Sequence, residues 1–294
     1  MMSFFAASLG MIAAASPEAG AEGHGATLNV GDAILRHIVD SDPIAFGITK
    51  GVLLMLLAAL IVIVGIRRAV GGYDADGVPR TRWAQMLDPF AEHFHRDIAQ
   101  HYIGEKWAGK VTPLLLTFFF FILTCNLLGL VPLTELVELG YYFAGAHPPE
   151  VLLGGGTATA NWNVTLTLAA LAFVSIIVYG SMKHGVVGHF SHLAPSGMHW
   201  LIRWPLLLPI EIISMFVKPV ALTMRLAANM SGGHIAILAV LFIPVLIKSA
   251  LVGIPGMAIA TGILLLEVIV CFVQAYVFAL LTGVFIGLAI HVHH

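Results

Sequence analysis

Apolar residues run through this chain in long blocks separated by short polar stretches. They show neither the strict alternation of a half-buried strand nor the one-sided stripe of a soluble helix. The block 47–66, GITKGVLLMLLAALIVIVGI, holds one lysine in about 20 residues, which predicts a membrane-spanning helix. Blocks of similar length predict spans over 112–131 (TPLLLTFFFFILTCNLLGLV) and 162–180. Two later blocks, 204–247 and 256–290, are about 44 and 35 residues long, more than a perpendicular crossing needs. At 1.5 Å per residue such helices must tilt steeply, kink or lie near the membrane plane. Pro209 and Pro219 offer kink sites, and PVLIKSALVGIPG, 244–256, turns the two helices into a hairpin. Between the first two spans, RWAQMLDPFAEHFHRDIAQHYIGEKWAG mixes aromatic and charged residues. It predicts an interfacial amphipathic helix over about 88–108, broken or started near Pro89. The expected fold class is an all-α integral membrane protein. It has five membrane-embedded helices plus the interfacial helix, in a single membrane domain over 46–294.

Composition makes the membrane reading firm. Of 294 residues, 59% are hydrophobic and 10% charged, against roughly 25% charged in a soluble domain. A net charge of −2 gives nucleic acid no purchase. Loop 67–110 carries Arg67, Arg68, Arg80, Arg82, Arg96, Lys106 and Lys110, whereas loop 132–161 carries no Lys or Arg. The positive-inside rule then places the N-terminus outside, loop 67–110 inside and the C-terminus in the cytoplasm. Residues 1–45 form an outward-facing segment. Its start, MMSFFAASLGMIAAASPEAGAEG, has the apolar run and small residues of a signal peptide but no preceding Lys or Arg. A cleaved signal and an uncleaved tail both stay open.

Metal chemistry finds little support. Cys125 and Cys271 lie in apolar runs, where packing accounts for them. His184, His189, His192 and His199, the terminal HVHH, and HFH at 93–95 do not make a compact ligand set. They read as solvated loop histidines, and no metal or cofactor is expected. GVFIG, 283–287, is a small-xxx-small pattern for close packing.

The chemistry sits in the two long blocks. Glu211, Lys218 and Arg225 are spaced by seven, so they drift only about 20° per step and share a helix face with Ser214 and Asn229. His234 lies half a turn away in angle. On the last helix Glu267 and Gln274 are again seven apart and share a face. Counted from the turn, His234 and Glu267 are equidistant, and so are Arg225 and Gln274. An antiparallel hairpin therefore sets each pair side by side. Charges at this depth cost about 2.5 to 3.5 kcal/mol each and usually line a path or find a partner. A neighbouring His and Glu suit a proton relay. Arg225 stays ionised, so it can bind a carboxylate and repel passing cations but not carry a proton. Plainer roles remain open: Lys218 snorkelling to an interface, and Asn229 and Gln274 as helix–helix glue worth about 0.6 kcal/mol each.

The stretch LLLPIEIISMFVKPVALTMRLAANMSGGHIA resembles the signature of subunit a of the F-type ATP synthase membrane sector. The resemblance extends, in the same order, through TCNLLGLVP (124–132), TATANWNVTLTLA (157–169), YGSMKHG (179–185) and VQAYVFALLTGVFIGLAI (273–290). It implies a proton-conducting stator subunit, not catalytic by itself, facing a rotating ring of c subunits. Peripheral-stalk b subunits and the rest of the ATP synthase would be its further partners, in a bacterial inner membrane. On this resemblance Arg225 attracts the ring carboxylate and separates two half-channels. Asn229 and Gln274 position it. Glu211, Ser214 and Lys218 lie on the cytoplasmic half-channel. His234 and Glu267 form the outer Glu/His pair, in the reverse of the order some bacterial members carry. Gly129 stands where some members have Asp. A self-contained cation transporter or channel with a Glu/His gate is the alternative, and would conduct without a ring.

Overall fold

In a computed structural model, residues 50–74, 76–131, 141, 161–185, 208–247 and 250–291 are described. The seven helices followed here are α1 (Lys50–Val70), α2 (Arg82–His93), α3 (His101–Ile103), α4 (Glu105–Leu130), α5 (Trp162–His184), α6 (Leu208–Ile247) and α7 (Ala250–Ile290). A π-helical segment, Phe94–Gln100, joins α2 to α3. Among the described residues, five helices are long and apolar enough to cross a membrane: α1, α4, α5, α6 and α7.

Leucine, isoleucine and valine cover α1 on nearly every side, and Leu56, Leu60 and Ile63 are more than half exposed. A helix apolar all round with so little of it buried belongs against lipid tails. Arg67 and Arg68 close its last turn, where cations complement the helix dipole. In the connection to α2, Arg80 is ion-paired with Asp74. The Tyr73 hydroxyl donates to Asp88 across 2.8 Å. Partial burial, and then the Asp88 carboxylate, push that hydroxyl above its ordinary pKa. It therefore remains a donor through the neutral range.

The surface helix differs from its expected bounds. It starts at Arg82, where the Thr81 side chain accepts from the Ala84 amide at 3.3 Å, and Pro89 stands inside it. One proline removes one backbone bond, which the cap and the packing of Phe90 and Phe94 outweigh. The chain breaks at Gly104, whose φ of 89° favours glycine. Residues 105–108, expected in the surface helix, are therefore the first turn of α4.

Two further bounds move for similar reasons. α5 runs on to His184 and ends at Gly185, φ 75°. α7 begins at Ala250, with Pro255 and Gly256 inside it. Of the turn expected over 244–256, residues 244–247 and 250–256 are helical, and 248 and 249 lie outside the described residues. So do 204–207, the segment 1–45, most of loop 132–161, and His189, His192, His199, His293 and His294.

α7 is the hub of the packing. It lies against α6, α4, α5, α3 and the π-helical segment. Ala275, Phe278, Ala279, Ile286 and Ile290 of α7 join Val111, Leu115, Phe118 and Ile122 of α4 in one core, which Phe94, Ile98 and Ile103 close from the surface helix. Phe119, fully buried, stands 5.2 Å from the Phe94 ring and 5.4 Å from the Phe272 ring. The GVFIG pattern does mark a close approach. A Cβ on Gly287 would overlap the Tyr102 carbonyl, and one on Gly283 would press on Ile98 and Leu115 at about 3 Å. α6 and α7 have 40 and 41 residues, so each extends about 60 Å, twice the hydrocarbon thickness.

The histidine reading needs correction. His93, His95, His184 and His291 are not free solvated side chains. His184 Nε2 meets the Ile290 carbonyl at 2.9 Å, and His291 Nε2 meets the Ile103 carbonyl at 2.7 Å. Both carbonyls sit at helix C-termini, which lack intrahelical donors and draw polar side chains to them. His95 Nδ1 lies 3.0 Å from the Thr112 hydroxyl, and His93 Nε2 lies 3.1 Å from the Tyr276 hydroxyl. Each of the four ties two elements together.

Candidate functional site

The α6–α7 hairpin holds the polar residues. Its register follows from two contacts. Asn229 Nδ2 donates to Gln274 Oε1 across 3.3 Å. Seven residues earlier on α7, the Glu267 carboxylate lies directly on the backbone of Gly233, where any Cβ would overlap it. Gly233 precedes His234, so the expected approach of the His234 and Glu267 positions holds at the level of the backbone. The side chains of His234, Glu211 and Lys218 lie outside the described residues. Ser214 is half-buried.

Helical geometry explains the division of the site. Arg225, Asn229 and Gly233 are each four residues apart, and four residues advance a helix face by about 40°. Arg225 is exposed, Asn229 reaches the edge of α7, and Gly233 faces α7 squarely. Met224, Val220 and Val217 near Arg225 are also exposed, between 43% and 55%. Arg225 thus lies on a side of α6 that the described residues leave uncovered, with exposed apolar side chains beside it. Glu267 and Gln274, by contrast, are 5% and 4% exposed and point into the hairpin. Cation and carboxylate belong to the same hairpin but to different environments.

Asn126 of α4 completes the inner side, and the sequence reading did not single it out. It is 2% exposed, and its Nδ2 donates to the Cys271 carbonyl at 3.5 Å. Its signal was a lone amide in an apolar span. With Asn229, Met230, Glu267, Val270, Cys271 and Gln274 it lines a small recess with room for about one water molecule. Asn126 Oδ1 and Gln274 Nε2 have no hydrogen-bond partner among the described residues. A buried amide atom left unpaired costs about 1–3 kcal/mol, so these two atoms favour a polar guest. Among the described residues no three His, Cys, Asp or Glu side chains gather as metal ligands, and Cys125 and Cys271 are free and buried.

The Gly233 contact makes a direct prediction. Gly233→Ala should displace the Glu267 carboxylate, because the new methyl occupies its position. The expected result is a lower melting temperature of the purified protein, partly restored when Glu267→Asp shortens the opposing side chain. An unchanged melting temperature for Gly233→Ala alone would show that the carboxylate need not lie there.

Comparison with known proteins places this hairpin in context. A family model described as ATP synthase A chain matches residues 52–287. ATP synthase subunit a 2 of Chlorobaculum tepidum is 38% identical over 282 residues, covering 88% of this chain and 73% of that protein. ATP synthase subunit a of Chlorobium phaeobacteroides (strain DSM 266) is 36% identical, covering 95% and 81%. The Myxococcus xanthus subunit a is 36% identical, covering 84% and 74%. With a family model matched over most of its length and relatives of this similarity, the chain belongs to the ATP synthase A chain family, a membrane component of the ATP synthase.

Proposed function

We propose that this chain is the stator side of a proton path made of two half-channels, with Arg225 between them. The observation that carries the reading is the split within one hairpin: an exposed guanidinium on one side of α6, and a buried carboxylate and amides between α6, α7 and α4. An uncovered cation at membrane depth calls for an anionic partner, and a carboxylate carried by a ring of c subunits supplies one. The outer half-path runs past His234, Glu267, Asn126 and Gln274. Its protons neutralise the ring carboxylate, which then moves through lipid. Near Arg225 that carboxylate is favoured in its charged form, because a neighbouring cation lowers its pKa, and it releases the proton toward Glu211, Ser214 and Lys218. Asn229 and Gln274 hold the arginine's surroundings in register.

The N-terminus is outside and the C-terminus in the cytoplasm, in a bacterial inner membrane. Peripheral-stalk b subunits hold the chain against ring rotation. The chain hydrolyses no ATP and needs no cofactor of its own.

The test is proton flux through the purified chain in liposomes, with and without the ring. This reading predicts almost no flux from the chain alone and restored coupling in the assembled complex. Rapid flux by the chain alone would instead favour a self-contained channel gated by Glu267 and His234.

A further inference from the structure

Tyr276 lies two residues beyond Gln274 on α7, about 200° around the helix, and so on its back. There it meets the surface helix. His93 Nε2 is 3.1 Å from the Tyr276 hydroxyl, and the two rings stack at 5.7 Å with an interplanar angle of 25°. The other ring nitrogen, Nδ1, is 2.6 Å from Asp97 Oδ2. Phe94 backs the tyrosine edge-on at 6.0 Å.

The chemistry orders these three groups. A carboxylate only accepts, so His93 Nδ1–H donates to Asp97. A neutral imidazole then keeps its lone pair on Nε2, which accepts the Tyr276 O–H. Asp97 thereby fixes both the tautomer and the ring plane of His93, as a carboxylate does for any histidine whose second nitrogen has work to do. Neighbouring Glu92 and Arg96 pair with each other at 3.0 Å and leave Asp97 to the histidine.

We propose that Asp97, His93 and Tyr276 form a positioning triad that holds α7 in the rotation placing Gln274 against Asn229. Tyr276 and Gln274 are on opposite sides of one helix at nearly the same height. A hydrogen bond that restrains one therefore restrains the azimuth of the other. The surface helix, which carries none of the polar residues of the hairpin, acts on the proton path through this link. The inference rests on the stator reading given above.

The test measures protons pumped per ATP hydrolysed by the assembled complex in vesicles. Tyr276→Phe keeps the ring and removes only the hydroxyl. It should lower the ratio about three- to tenfold, the worth of one hydrogen bond, with normal amounts of complex. His93→Ala should do the same, and the double variant should be no worse than either, because both remove one interaction. His93→Gln should restore the ratio to near the wild-type value, since its amide oxygen can accept the tyrosine O–H. Wild-type pumping by Tyr276→Phe, additive losses in the double variant, or failure of His93→Gln to rescue would each overturn the triad. Arg225→Ala serves as the reference. If it pumps, the stator reading fails; if it is dead while Tyr276→Phe pumps normally, the triad alone fails.

Discussion

Glu267→Gln is expected to slow ATP-driven proton uptake into vesicles by roughly 100-fold or more, the usual worth of a positioned proton-transfer group. The substitution keeps the volume and shape of the side chain, so the contact with Gly233 and the packing of α7 survive. What disappears is the ability to take and give a proton. Glu267 is 5% exposed in a recess with Asn126 and Gln274, so no solvent carboxylate can substitute for it there. The amount of assembled complex, measured alongside, should be unchanged. Uptake at the wild-type rate would remove Glu267 from the path.

Arg225→Ala is expected to have the larger effect: coupled pumping should cease and a passive proton leak should open. Arg225 cannot be relieved by deprotonation, so its exposed place on an apolar helix costs stability in every state of the protein. Alanine removes a charge worth about 2.5 to 3.5 kcal/mol of insertion cost and is the best helix former. The variant should therefore insert and fold at least as well as the wild type, and misfolding cannot account for lost coupling. In the proposed mechanism, loss of the cation would let a protonated ring carboxylate pass the divide without discharging, and the two half-paths would be joined. A leak measured with an imposed pH gradient and no ATP should rise in this variant and stay low in Glu267→Gln.

The sequence carried the hairpin well because its information is local and periodic. The seven-residue spacings of Glu211, Lys218 and Arg225, and of Glu267 and Gln274, define helix faces. Equal distances from the turn then align Gln274 with the Arg225–Asn229 region, and position 234 with Glu267. The contacts of Asn229 with Gln274 and of Gly233 with Glu267 follow that register.

What escaped was set by tertiary contact. Pro89 reads as a helix break or start, yet Thr81 caps the helix eight residues before it and aromatic packing carries it through. Asn126 looks like an ordinary amide until α4 is laid against Cys271. The histidines looked solvated because their partners are backbone carbonyls and hydroxyls up to 188 residues away, as for His291 and Ile103. No spacing rule along one helix reports such a pairing.

The central claim, that protons cross only by way of the ring with Arg225 dividing the two half-paths, has one direct measurement. Vesicles holding equal amounts of assembled wild-type and Arg225→Ala complex are given ATP, and internal acidification and ATP hydrolysis are followed together. The account predicts acidification by the wild type and none by Arg225→Ala while hydrolysis continues. Acidification by Arg225→Ala at the wild-type ratio of protons to ATP would contradict it.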